Sequence, residues 1–162
     1  MRSHRGVLAV VLLLTAATAV AEMPPPAMSA EGMVMVPSAR KVEATVVELE
    51  RAIRSRGLTI FATVDHAANA RRAGLSLRPM TLLLFGNPEV GTSLLESSRT
   101  VGLDLPQRML VWHDANGAVF VGYNDPSWLA ERHGIVGHEE ELAKMSALLE
   151  ELSAAACSSE GS

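Results

Sequence analysis

Apolar and polar positions change their period several times along the chain, and each change marks an element. Val42, Val46, Leu49 and Ile53 recur at helical spacing, the single apolar stripe of a helix packed on a core. Ser38 precedes this stretch, Glu50 and Arg54 form a four-apart pair on its wet side, and Gly57 stands where helices end. The pattern therefore predicts a helix beginning after Ser38 and running to about Arg56. In "LTIFATV", Leu58 to Val64, the period falls to two and the residues become β-branched and aromatic, the signature of a strand. "HAANARRAG" then has room for about two helical turns, and "MTLLLFG", Met80 to Gly86, reads as a second and more fully buried strand.

Asn87, Pro88 and Glu89 open the next helix: Asn caps it, Pro suits its first position, and an acid suits the positive end of the helix dipole, with Val90 and Leu94 expected to face inward. "QRMLVWHDANGAVFVGY", Gln107 to Tyr123, has two β-rich arms around Asn116-Gly117 and predicts a hairpin closed by a tight two-residue turn. Asp125-Pro126 and Gly134 bracket another helix. Leu142, Met145, Leu149 and Leu152 form the stripe of a last one. No internal repeat is present. Strands and helices in this order, with a hairpin among them, predict an α+β fold, a sheet covered by helices, rather than a regular doubly wound one.

The two ends read differently. Arg2 and Arg5, then the apolar run Val7 to Val20, then "AVA" ending at Ala21, have the layout of a secretory signal peptide over residues 1–21. The run is shorter than the roughly 20 residues a membrane span needs. The mature chain is expected to begin near Glu22, to be periplasmic or secreted, and to keep no stable membrane anchor. "EMPPPAMSAEG" reads as an extended linker, so residues 22–37 are taken as a Pro/Met-rich linker and a first short strand, 38–152 as one domain, and 153–162 as a flexible tail. Cys157 is the sole cysteine of the 162 residues and is assigned to that tail, contributing nothing to folding; an intramolecular disulfide is therefore excluded. Loss of Arg2 and Arg5 takes the net charge from -4 to roughly -6, which argues against nucleic acid as a partner.

Candidate chemistry is sparse. The chain has no nucleophile elbow, Gly-rich phosphate loop, haem-attachment motif or paired-histidine metal motif, and nothing in it implies a cofactor. Met23, Met28, Met33 and Met35 could supply thioethers to Cu(I), but Met33 and Met35 alternate as strand residues do, with one face packed. His133, in the last turn of its helix, and His138, at the head of the next, read as solvated. His113 falls on the same strand face as Met109 and Val111. Asp65 lies between strand and helix, where an acid is an N-cap, and His66 follows it as a first-turn residue. Asp104, in "VGLDLP", suits a turn or a pocket. Asp65-His66 and Asn87-Pro88 both follow strands, so two parallel neighbouring strands would bring them to one edge of the sheet and frame a pocket.

"VDHAANARRAG", "LLLFGNPEVGTSLL", "VGLDLPQRMLVW" and "GYNDPSWLAERHG", in this order and spacing, resemble the domain of unknown function family 302 over roughly Arg40 to Gly134. The resemblance implies a compact two-layer α+β fold similar to the TATA-binding-protein topology and no assigned activity. Asp65, His66, Asn87, Asp104, Tyr123, Asn124 and Asp125 fall on its polar motif positions, and His113 stands where the family pattern has an acid. The function expected from these readings is non-covalent binding of an unknown small molecule or protein partner, with Asp65, His66, Asn87 and Asp104 as the polar rim of the site. The alternative is an enzyme or metal site in which His66 acts with Asp65 or Asp104.

Overall fold

A computed structural model describes residues 27–28 and 32–159; the expected signal peptide and most of the Pro-rich segment lie outside these residues. The described elements are strands β1 (Ala27–Met28), β2 (Met33–Ser38), β3 (Thr59–Asp65), β4 (Met80–Gly86), β5 (Gln107–His113) and β6 (Val119–Asn124), and helices α1 (Val42–Ser55), α2 (His66–Arg72), α3 (Pro88–Ser97), α4 (Pro126–His133) and α5 (Glu139–Cys157). A 3₁₀ turn, Arg99–Leu103, bridges α3 and β5. The strands form one sheet in the order β1-β2-β6-β5-β4-β3, antiparallel at every pairing. The fold is thus α+β.

Period-two alternation sends one set of side chains to the helical side. Val34 and Val36, Leu83 and Phe85, Met109 and Val111, and Val121 and Tyr123 are buried there. They form one core with Val42, Leu49 and Ile53 of α1 and Met145, Leu149 and Leu152 of α5. Each such aliphatic or aromatic side chain contributes about 1.5–3 kcal/mol when fully removed from water. On the opposite face Trp112 stacks on Phe120 with ring centroids 5.6 Å apart. The Trp112 ring also covers Gly122, where an added Cβ would come within 2.8 Å of it.

Several expectations change against this architecture. Helix α1 begins at Val42, because Ser38 is used by the sheet, paired with Val119; its hydroxyl shares a hydrogen bond with that of Thr45 at 2.8 Å. In β2 the expected alternation with one packed face holds; that face belongs to Val34 and Val36, with Met33 and Met35 half-buried on the other side. Leu94 is buried as expected, but Val90 is 43% exposed, since no described element covers the first turn of α3. The β5–β6 connection is wider than a two-residue turn: His113 pairs with Val119, and the Asp114 carboxylate accepts the N–H groups of Asn116 and Ala118, each at 2.8 Å.

The largest revision concerns the flexible tail assigned to 153–162. Helix α5 continues to Cys157, and Ser153, Ala156 and Cys157 are buried. Small residues let this last turn approach the sheet closely: Ala39 N–H donates to the Cys157 carbonyl at 2.9 Å, and Sγ faces the Val36 carbonyl. Ala and Cys carry the stripe on past Leu152, so the helix has no reason to stop there.

Candidate functional site

The antiparallel pairing of β3 and β4 decides where the sequence-predicted site residues fall. Asp65 sits opposite Thr81, at the start of β4, whereas Asn87 follows the end of that strand. The two junctions therefore lie at opposite ends of β4, roughly 20 Å apart for six steps of about 3.3 Å, and the parallel arrangement that would have joined them is absent. Asp65 is an N-cap: its Oδ1 accepts the Ala68 N–H at 2.8 Å, and His66 is simply the first residue of α2.

Asp104 is 7% exposed, at the end of the 3₁₀ turn, and it meets a different histidine. His133 Nε2 is 2.7 Å from Asp104 Oδ2, and His133 Nδ1 is 2.9 Å from the Thr100 hydroxyl. Arg108 and Arg132 reach the same carboxylate at 3.1 and 3.3 Å; Arg132 also lies over the Trp128 ring, 5.2 Å from its centroid. His133, read as solvated, is instead a packed side chain, only 4% exposed. A carboxylate, an imidazole and a hydroxyl in a row have the composition of a catalytic relay. Here both Asp104 and His133 are enclosed, and the cluster ties the 3₁₀ turn to the end of α4 as a strut. Among the described residues no three His, Cys, Asp or Glu side chains are placed to hold a metal ion.

A cavity opens on the other side of the 3₁₀ turn, at the end of the sheet that carries Asn87. It is a groove of about 940 Å³ between α3, the first half of α5, and the corner formed by Phe85–Gly86 and Leu105–Gln107. Its walls are mainly apolar: Leu58, Phe61, Leu84, Val90, Leu95, Met145 and Leu148 among others. Phe61 stands at the irregularity where β3 shifts register between Ile60 and Ala62, and is 51% exposed at the rim. The short, Pro-started helix α3 leaves Val90 uncovered at the mouth. Gly91 adds no side chain, and a Cβ built there meets nothing within 4 Å.

The polar groups in the groove are few and placed by neighbouring elements. Asn87 caps α3, accepting the Glu89 N–H at 2.9 Å. Gln107 is 7% exposed because it occupies the core-facing phase of β5, paired with Phe85; its Nε2 donates to the Met145 sulfur. Glu141 lies across from Ser93, with the hydroxyl 3.4 Å from Oε1, and its other oxygen meets His138 Nδ1. Lys144 is bound to Glu140 at 2.6 Å. That hydrogen bond holds the Glu140 carboxyl below its usual range and raises the Lys144 ammonium.

Of the four candidate residues, then, Asn87 lines the groove, Asp104 is enclosed beside it, and Asp65 and His66 lie at the far end of the sheet. Gln107, Ser93 and Glu141 were missed. Gln107 carried a readable signal, a polar residue in phase with Met109 and Val111; the other two became neighbours only through the packing of α3 against α5.

Fold and groove together describe a two-layer α+β domain with a small-molecule-sized cleft at one end of its sheet. The chain belongs to the family described as "Domain of unknown function DUF302", whose pattern it matches over residues 34–152, a longer span than its sequence motifs cover. A crystal structure of an uncharacterized conserved DUF302 protein from Bacillus stearothermophilus superposes with a TM-score of 0.70 at 22% identity, covering 80% of this chain and 100% of that one. Two proteins named "Fluoride-specific ion channel FluC 1", from Brucella suis biovar 1 and Brucella abortus biovar 1, are each 46% identical over 104 residues, 64% of this chain. The match spans 41% and 38% of their respective lengths, so the similar domain is one part of longer relatives. No helix among the described residues is long and apolar enough to cross a membrane.

Proposed function

We propose that this chain is an exported binding domain that holds a small, largely apolar molecule non-covalently in the groove between α3 and α5. The observation that carries this reading is the groove itself: at about 940 Å³ it lies within the size range of small-molecule sites, and mainly apolar walls with a few placed polar groups are what such sites present. Exposed Phe61 and Val90 at its rim supply apolar surface that a ligand would cover. The rival reading, chemistry at His66 with Asp65 or Asp104, has less behind it, because Asp65 caps a helix, Asp104 is committed to His133, and neither lines the groove.

The test is a titration with N-phenyl-1-naphthylamine, a neutral fluorophore that brightens in apolar surroundings. Wild type is expected to bind it saturably. Gly91→Phe, which places a ring in the empty space beside α3, is expected to weaken binding by about tenfold or more while leaving the melting temperature unchanged or slightly raised, since Gly is a poor helix former. Equal binding by both proteins would move the site elsewhere.

Export belongs to the same proposal and rests on the basic start, apolar run and "AVA" of residues 1–21. N-terminal sequencing of the protein from its native host should begin near Glu22, and an intact Met1 would contradict it. The names of the Brucella relatives extend the proposal to a role beside a fluoride-specific channel. Deleting the gene should then lower fluoride tolerance; unchanged tolerance would remove the channel link.

A further inference from the structure

The polar groups of the groove are not neutral as to what they would accept. The Thr92 hydroxyl donates to the Pro88 carbonyl at 2.7 Å, and the Ser93 hydroxyl to the Val90 carbonyl at 3.0 Å, so both present lone pairs rather than hydrogens to a guest. Gln107 spends an amide hydrogen on the Met145 sulfur, and its carbonyl oxygen takes no hydrogen bond from the described residues. The residue is nine-tenths buried and lines the groove, and its carbonyl oxygen keeps some accessible surface, so it offers an unpartnered acceptor there. Glu141 adds a carboxylate beside Ser93, and Glu89 adds another at the mouth. Against these stand Lys144, whose ammonium is held by Glu140 at 2.6 Å, and the amide hydrogens of Asn87. A guest that covers these acceptors takes water from them, so one that brings donors in its place is favoured over one that brings more acceptors.

We infer that the groove selects amphipathic amines: an apolar body against Phe61, Leu84 and Leu148, and an ammonium head whose hydrogens meet the Gln107 carbonyl, the Ser93 oxygen and the Glu141 carboxylate. This rests on the groove being the binding site, and it names the ligand class. A carboxylate head of the same length meets acceptors and two negative charges, and the small apolar acids that fit the groove by size are rejected by its polarity. The ammonium also faces a rim that carries Glu89 and Glu141, the latter held by His138 through its other oxygen, against one lysine already paired with Glu140.

The experiment is displacement of N-phenyl-1-naphthylamine from the full chain by octylamine, octanol and octanoate at one pH and ionic strength. The expected order is amine, alcohol, carboxylate, with about tenfold or more between the first and the last. In Glu141→Gln, which keeps the side-chain shape, the amine and carboxylate should come to within about threefold of each other. The wild-type series stands without the variant should Glu141→Gln fold poorly. Octanoate binding as well as octylamine, or better, would overturn the amine selectivity while fluorophore binding upheld the groove. Failure of wild type to bind the fluorophore or any of the three compounds would overturn both readings.

Discussion

Asp65 shows what a single side chain does here. Its carboxylate closes the N-terminus of α2 by accepting the Ala68 N–H at 2.8 Å, and this needs an acceptor rather than a charge. Asp65→Asn should therefore unfold at nearly the wild-type denaturant midpoint, while Asp65→Ala should lose about 1 kcal/mol. Equal losses in the two variants would show that the charge matters. Cys157 and Tyr123 make a second case. Burial pushes the Cys157 thiol up to about 11 from 9.0, and the Tyr123 phenol up to about 12 from 10.0. Among the described residues the buried Tyr123 hydroxyl has no hydrogen-bond partner, its neighbour Ser153 having donated to the Glu150 carbonyl at 2.9 Å.

Both groups hold their protons more tightly folded than unfolded. Their contribution is complete below pH 9 and drains away as pH rises toward 12, because the unfolded chain ionises first. Denaturant midpoints should fall across that window, and less steeply in a Cys157→Ala, Tyr123→Phe double variant; an identical slope would contradict the assignment. The cap could be read in the sequence because it depends on local chemistry. The burial of Cys157 could not, since it depends on α5 reaching β2 from the other end of the chain.

Elements were legible where their signals were local. Strand β4 and the Asn87-Pro88 start of α3 lie where the pattern placed them, and the Asp125 and Gly134 caps bracket α4. What the pattern missed were choices made between elements. Neighbouring strands pair antiparallel, which separated Asp65-His66 from Asn87, and the 3₁₀ turn brought Asp104 to His133 rather than to His66. That strut gives a sharp contrast. Asp104→Ala strips the enclosed His133 of its carboxylate and leaves Arg108 and Arg132 facing each other, so it should cost about 3 kcal/mol. His66→Ala should change stability by less than about 0.5 kcal/mol. Chemical denaturation compares them directly, and a neutral Asp104→Ala would mean the cluster is solvated.

At the scale of the molecule, one helical layer covers one face of an antiparallel sheet, and the groove lies at the end where α3, α5 and the β4–β5 corner meet without filling the space between them. Fold class could be read from the order of elements. The groove could not, because it is made by residues far apart in sequence, Phe61, Val90, Gln107 and Leu148, none of which marks a site alone. What has to be established is that ligand occupies this groove and not the Asp65-His66 junction. Backbone amide ¹H–¹⁵N spectra recorded with and without octylamine test it most directly. Ligand in the groove should shift Gly86–Leu95, Gln107 and Glu141–Leu148 and leave Asp65, His66 and the rest of α2 unmoved; shifts centred on α2 with a silent α3 would contradict it.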